Sequence, residues 1–217
     1  MFDMENVSMI FNSLANDLGK YLPITVIAAI ALFIIKEIVD FIKKHKAKKN
    51  KIKAISHVIS EEIKFNHWSL KKLFEAYKTL ADLFEKHPKA IYRVKETRFG
   101  SVRFECKEEP SEPVWSGQTL PRFVSDQFNH LLPSLAELDF KTAKRLQITY
   151  EEIAELEHYR QTLIMFVSGE SHEENVFVEM TKHFISDFAQ EENDYFKQIE
   201  DGYKALIGKP LKEFRLR

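Results

Sequence analysis

Fifteen consecutive residues, 21–35 (YLPITVIAAIALFII), carry no charge, and Lys20 and Lys36 bound them. Shortly after, KKHKAKKNKIK places seven lysines between Lys43 and Lys53 with no acid among them. An apolar plug followed by a lysine collar predicts one membrane anchor over 21–42, with the rest of the chain on the cytoplasmic side. The apolar residues of that anchor are Tyr21, Leu22, Ile24, Val26, Ile27, Ile30, Leu32, Phe33, Ile34 and Ile35. Lys43, Lys44, Lys46, Lys48, Lys49, Lys51 and Lys53 would meet anionic lipid headgroups.

Length is the difficulty. At about 1.5 Å per residue the uncharged run covers roughly 22 Å, against a hydrocarbon core of about 30 Å. A buried core helix is therefore the alternative. Two features favour the membrane. Lys20 and Lys36 have stems long enough to snorkel, and Ile38, Val39, Phe41 and Ile42 keep the chain apolar up to the collar. Nine of the fifteen residues are Leu, Ile, Val or Phe, worth about −3 to −5 kcal/mol for insertion. A cleaved secretory signal fits poorly, because the residues before Lys20 carry Asp3, Glu5 and Asp17 and no base. Thr25 and Ala29, flanked by Ala28 and Ala31, would let such helices approach closely, so a homo-oligomer is a candidate assembly. Ahead of the run, Val7, Ile10, Phe11, Leu14 and Leu18 recur at helical spacing. Segment 1–20 is read either as an amphipathic surface helix or as a loosely ordered terminus.

Charge is segregated along the chain. Residues 1–53 hold nine basic and five acidic groups, whereas 151–201 hold fourteen acids against Arg160, Lys182 and Lys197. The acidic stretch is either a solvated helix face or a docking face for a basic partner. One cysteine, Cys106, excludes an internal disulfide and suits a reducing compartment; it falls in what reads as a polar loop.

Beyond the collar (43–53), residues 54–217 predict a cytoplasmic helical domain. From Ile52 to Leu83 apolar residues keep a helical period without Pro or Gly. The anchor helix either runs on to about His87 or hinges at the collar. Residues 89–106 (KAIYRVKETRFGSVRFEC) read as a short β-hairpin or extended arm, and 108–117 as a loop. Pro121 predicts a helix start, and Pro133 a division before the next stretch. Two long helices follow, over about 140–167 and 171–207, ended by Ser168-Gly169 and Gly208-Lys209-Pro210. The fold class expected is mainly all-α: a single-pass transmembrane helix continuing into an antiparallel helical bundle, with one hairpin-like arm.

Chemistry is sparse. No glycine-rich phosphate loop, cysteine pair or nucleophile signature occurs among the residues, so no catalytic group, cofactor or metal is expected. Glu155 and His158 share a helix face, but a di-metal bundle needs a second such pair. Glu179 with His183, and His57 with Glu61, read as solvated helix pairs. Within 89–103, Lys89, Arg93, Lys95, Arg98 and Arg103 stand against a single acid, Glu96, and are interleaved with Tyr92 and Phe99. That mixture suits either a charged sheet edge or contact with nucleic acid or another partner.

In the uncharged run, the collar and the helix through EEIKFNHWSLKKLFEAY, the chain resembles the membrane effectors of bacterial anti-phage systems, retron-associated effectors in particular. The resemblance implies a non-enzymatic protein of the bacterial inner membrane, with its N-terminus outside. It implies a controlling partner complex, a reverse transcriptase with bound nucleic acid, whose release lets the effector perturb the membrane. With one membrane segment, a pore would need several copies. A passive tether or scaffold is the alternative. No residue role is carried over.

Overall fold

The computed structural model describes residues 23–87, 89–98, 101–169, 182–185, 187–188 and 192–212. Segment 1–20, Tyr21, Leu22 and the first part of the expected helix over 171–207 lie outside them. Helix α1 (Ile24–Lys86) is followed by strands β1 (Ile91–Glu96), β2 (Val102–Lys107) and β3 (Ser116–Leu120). Helices α2 (Asp126–Leu138), α3 (Phe140–Ser168) and α4 (Glu192–Ile207) complete the order. The fold is thus mostly helical with one small antiparallel sheet, in the order β1-β2-β3.

The chain divides into two compact units, residues 1–51 and 52–217. Helical residues continue without a break through the collar, from Ile24 to Lys86. Of the seventeen large apolar side chains exposed among the described residues, eleven lie from Ile24 to Ile42. At 100° per residue those eleven positions surround the helix, so they do not form the single stripe of a core-facing helix. Among the described residues no helix is long and apolar enough to cross a membrane. A span needs about 20 predominantly apolar residues, and any stretch of that length starting at Ile24 includes Lys36, Glu37 and Asp40.

In the second unit the same helix becomes one-sided. Ile55, Ile59, Ile63, Leu70, Leu73, Phe74, Tyr77 and Leu80 are buried at helical spacing. They meet Leu146, Ile153, Leu156 and Leu163 of α3 and Ile199 of α4 in one core. Aromatic rings make up its centre: Phe74 stacks on Phe188 at 4.8 Å, and Tyr77 and Tyr159 pack on the same ring. The Tyr77 hydroxyl donates to the Tyr159 carbonyl, so its polar end is satisfied. Gly169, at φ 79°, supplies the left-handed residue that ends α3. Close packing of α3 on α4 depends on Gly202, where a Cβ would sit 2.4 Å from Thr149 Oγ1.

Four expectations are corrected. The arm over 89–106 is not a lone hairpin, because Ser116–Leu120, whose first two residues were expected to end a loop, pairs with β2 from Cys106↔Ser116 to Val102↔Leu120. Cys106 is a buried strand residue, not a loop residue. Residues 121–125 form no helix: the Phe123 and Val124 amides bond to side chains of other helices, and α2 starts only at Asp126. Pro133 lies inside α2 and does not divide it. A proline costs roughly 3 kcal/mol in a helix interior; Phe128 and Leu135 are buried on either side of it.

Candidate functional site

Three polar side chains from two helices hold the segment between β3 and α2. Glu62 of α1 accepts from the N–H groups of Gln127 and Phe128 at 2.8 and 3.1 Å and from the Tyr150 hydroxyl at 2.7 Å. Those two amides open α2, and the Ser125 side chain does not cap them. Glu62 therefore acts as an N-cap supplied from another helix, with its charge at the favourable end of the α2 dipole. Burial, then the Glu62 bond, pushes the Tyr150 phenol up, and its ring stacks on Phe128 at 3.9 Å.

One turn on, Asn66 donates from Nδ2 to the Val124 carbonyl and accepts at Oδ1 from the Val124 N–H, at 2.7 and 2.8 Å. A carboxamide alone can satisfy both groups of one residue in this way. From α3, Glu157 accepts from the Phe123 N–H at 2.9 Å and takes a fork of bonds from Arg160 Nε and Nη2. Partial burial pushes the Glu157 carboxyl up, but the Arg160 bonds and the Phe123 amide outweigh it, and the net shift is downward. These partners fix an irregular segment whose backbone groups find no partners in a helix or strand of their own.

The held segment forms one wall of a groove of about 500 Å³. Leu120, Pro121, Arg122 and Val124 line that wall, and Phe65 and Trp68 of α1 line the other. Their rings lie 5.6 Å apart and are half-buried. Ser101 and Thr119 add hydroxyls at the sheet side. The Arg122 guanidinium is 67% exposed and lies 3.9 Å from Asp126.

The outer face of the sheet leads into this groove. Its register sets Lys95, Arg103 and Thr119 in one row across the three strands, and Arg93, Glu105 and Gly117 in the next. In the second row Arg93 is neutralised: Nε and Nη2 both donate to Glu105 Oε2, at 2.9 and 2.8 Å. Its guanidinium also lies 3.8 Å from the Trp115 ring, with Lys107 Nζ near the same ring. In the first row Lys95 and Arg103 stand directly opposite each other, both exposed. Like charges opposed across strands are destabilising, and no acid occupies that row. Arg103 reaches the Gly117 carbonyl at 3.3 Å.

Of the five cations expected at the arm, the structure therefore brings Lys95 and Arg103 together and gives Arg93 to an ion pair. Lys89 and Arg98 are exposed in the turns flanking β1. Sequence reasoning missed Lys107, Trp115 and the groove, because Trp115 precedes an unrecognised strand. The alternation of Arg93 and Lys95 with Tyr92 and Val94 was the available signal for the outer face. The other expected positions, Thr25, Ala28, Ala29, Ala31 and the collar lysines, lie on α1 in the first unit or at its junction with the second.

Elsewhere, Glu155 accepts from the Tyr159 hydroxyl. Among the described residues no three His, Cys, Asp or Glu side chains gather as a metal site. A wider hollow of about 800 Å³ lies between α3 and α4, with Arg145 and Lys204 opposed by Glu152 and Asp201. His67 sits against the Phe196 ring edge, and its Nε2 is 3.6 Å from Glu200. Burial lowers the His67 pKa more than Glu200 raises it. Comparison with known proteins finds no matching family, no curated relative and no solved structure of similar fold.

Proposed function

We propose that this is a non-enzymatic, membrane-attached effector, in which a helical domain binds a partner and controls an apolar helix end embedded in the bilayer. One observation carries the reading: a single helix whose first turns expose apolar side chains on every side, and whose later turns are the spine of a folded core. An apolar surface of that kind is costly in water, and the lysines that follow it suit an anionic headgroup layer. The attachment takes the form of a short helix, accommodated by local thinning of the bilayer or by association of copies. Resemblance to anti-phage membrane effectors makes defence by membrane perturbation the biological setting of the proposal.

Fractionation of the full chain tests attachment. Replacing Ile30 and Phe33 with glutamate should move the protein from the membrane to the soluble fraction, since each charge near a helix centre costs about 2.5 to 3.5 kcal/mol. Recovery of both variants in the membrane would end the proposal. Helix continuity favours control over passive tethering, and a Gly-Pro pair inserted after Lys49 separates the two. A tether should keep its localisation and its partner, whereas an effector should keep its localisation and lose its effect on membrane potential. Induced expression of the native chain without any change in membrane potential would leave the tether.

A further inference from the structure

We propose that the Lys95–Arg103–Thr119 row and the Phe65/Trp68 groove form one track that binds single-stranded nucleic acid, independently of membrane attachment. The two rows of the same sheet face make the argument by contrast. One is neutralised internally, with Glu105 taking both donors of Arg93. The adjacent row opposes two cations and contains no acid. A sheet that needed only solubility could have placed a carboxylate there; two exposed cations held side by side leave an anion as the missing partner.

Geometry then selects among anions. Thr119 belongs both to the cationic row and to the lining of the groove, so the track is continuous. From Lys95 to Thr119 it crosses two strand spacings, about 10 Å, enough for successive phosphates of an extended strand. At its end Phe65 and Trp68 offer half-buried aromatic surface in a volume that admits a planar base. Arg122 stands at the rim, exposed enough for a further phosphate or a base edge. Cations for the backbone beside aromatic rings for bases is the arrangement single-strand binders use. A lipid headgroup would use the cations and leave the aromatic groove without purpose. A duplex would keep its bases stacked and outside the groove. The wall of the groove is fixed before any ligand arrives, by Asn66 on Val124 and Glu157 on Phe123, so little ordering entropy is lost on binding.

The full chain in neutral detergent would be titrated with a labelled oligothymidylate of about 12 nucleotides, read by fluorescence anisotropy over a salt series. Saturable binding is expected, weakening with salt at a slope near −0.7 per phosphate contacted. Lys95→Gln with Arg103→Gln should weaken binding at least about tenfold and flatten the slope. Lys95→Arg should restore most of the loss in the Lys95→Gln single variant. Trp68→Phe should bind like the native chain, while Trp68→Leu should lose about 5- to 100-fold. Thermal unfolding of each variant identifies any that fail to fold, and Lys95→Gln, on an exposed strand face, keeps the test decisive if Trp68→Leu does. Absence of saturable binding to the native chain would overturn the proposal. So would unchanged affinity in the double variant, equal affinity for duplex DNA, or equal displacement by polyglutamate or anionic vesicles.

Discussion

Glu62 offers the sharpest test of how the irregular segment is held. Replacing it with alanine strips the acceptor from two amides and a phenol that are close to or inside the core. The bonds from the Phe128 amide and the Tyr150 phenol are buried, and at about 1–3 kcal/mol for each such donor left unpaired the cost is about 2–6 kcal/mol, a large part of the 5–15 kcal/mol typical of a domain. At roughly 2–4 °C per kcal/mol for a domain of this size, the melting temperature should fall by about 4–24 °C. Tyr150→Phe alone keeps the stacking on Phe128 and leaves Glu62 its two amides, so it should cost only about 1–1.5 kcal/mol. In the Glu62→Ala background the phenol has already lost its acceptor. Removing it there should cost nothing or restore stability, so the cycle should show a coupling of about 1–2 kcal/mol. Urea unfolding of the full chain, followed by the fluorescence of Trp68 and Trp115, measures all four corners. Glu61→Ala, beside it but in an exposed pair with Lys64, is the control and should stay within about 0.5 kcal/mol. A Glu62→Ala variant within 1 kcal/mol of the native chain, or strictly additive effects, would refute the reasoning.

Three further outcomes follow from other sites. Since burial lowers the His67 pKa below its unfolded value, its contribution is present above about pH 6.5 and lost as pH falls through the folded pKa. His67→Gln should therefore flatten the stability profile on the acid side of pH 6.5, and an unchanged profile in urea titrations at stepped pH would count against it. Gly202→Ala should destabilise by about 1–3 kcal/mol through its contact with Thr149, and Thr149→Ala in the same chain should recover most of the loss, by thermal melting. Burial raises the Cys106 pKa, so a thiol reagent should label it slowly in the folded chain and rapidly in urea; fast labelling without urea would contradict its placement.

The long helices were legible because Ile55, Ile59, Ile63 and Leu70, or Leu146, Ile153 and Leu163, repeat at the helical period whatever surrounds them. Their ends were legible where glycine adopts positive φ, at Gly169 and Gly208. The third strand was not: SGQTL has one strand-forming residue, Thr119, and a glycine, and pairs because β2 offers it an edge. Residues 121–125 were misread for the same kind of reason. Pro121 signals a helix start locally, but Phe123 and Val124 bond to residues 34 and 58 positions away. The helical period sets Glu62 and Asn66 on the face of Ile55, Ile59, Leu70 and Leu73 and leaves Glu61 off it, but it does not reveal which distant groups they serve. As for the candidate site, composition marked the basic arm, while its division into a neutralised and a bare row depends on strand register.

The spacing of Glu62 and Asn66 also indexes α1 along its axis. Sliding the helix by one turn, about 5.4 Å, would present either Val58 or Asn66 to the amides that Glu62 now serves. In the same movements Val124 would meet Glu62 or Leu70 in place of Asn66. Neither alignment satisfies both the amides at the start of α2 and the two groups of Val124. The segment behaves as a pawl seated between two teeth, and an axial load on the helix has to break five hydrogen bonds together before it can advance.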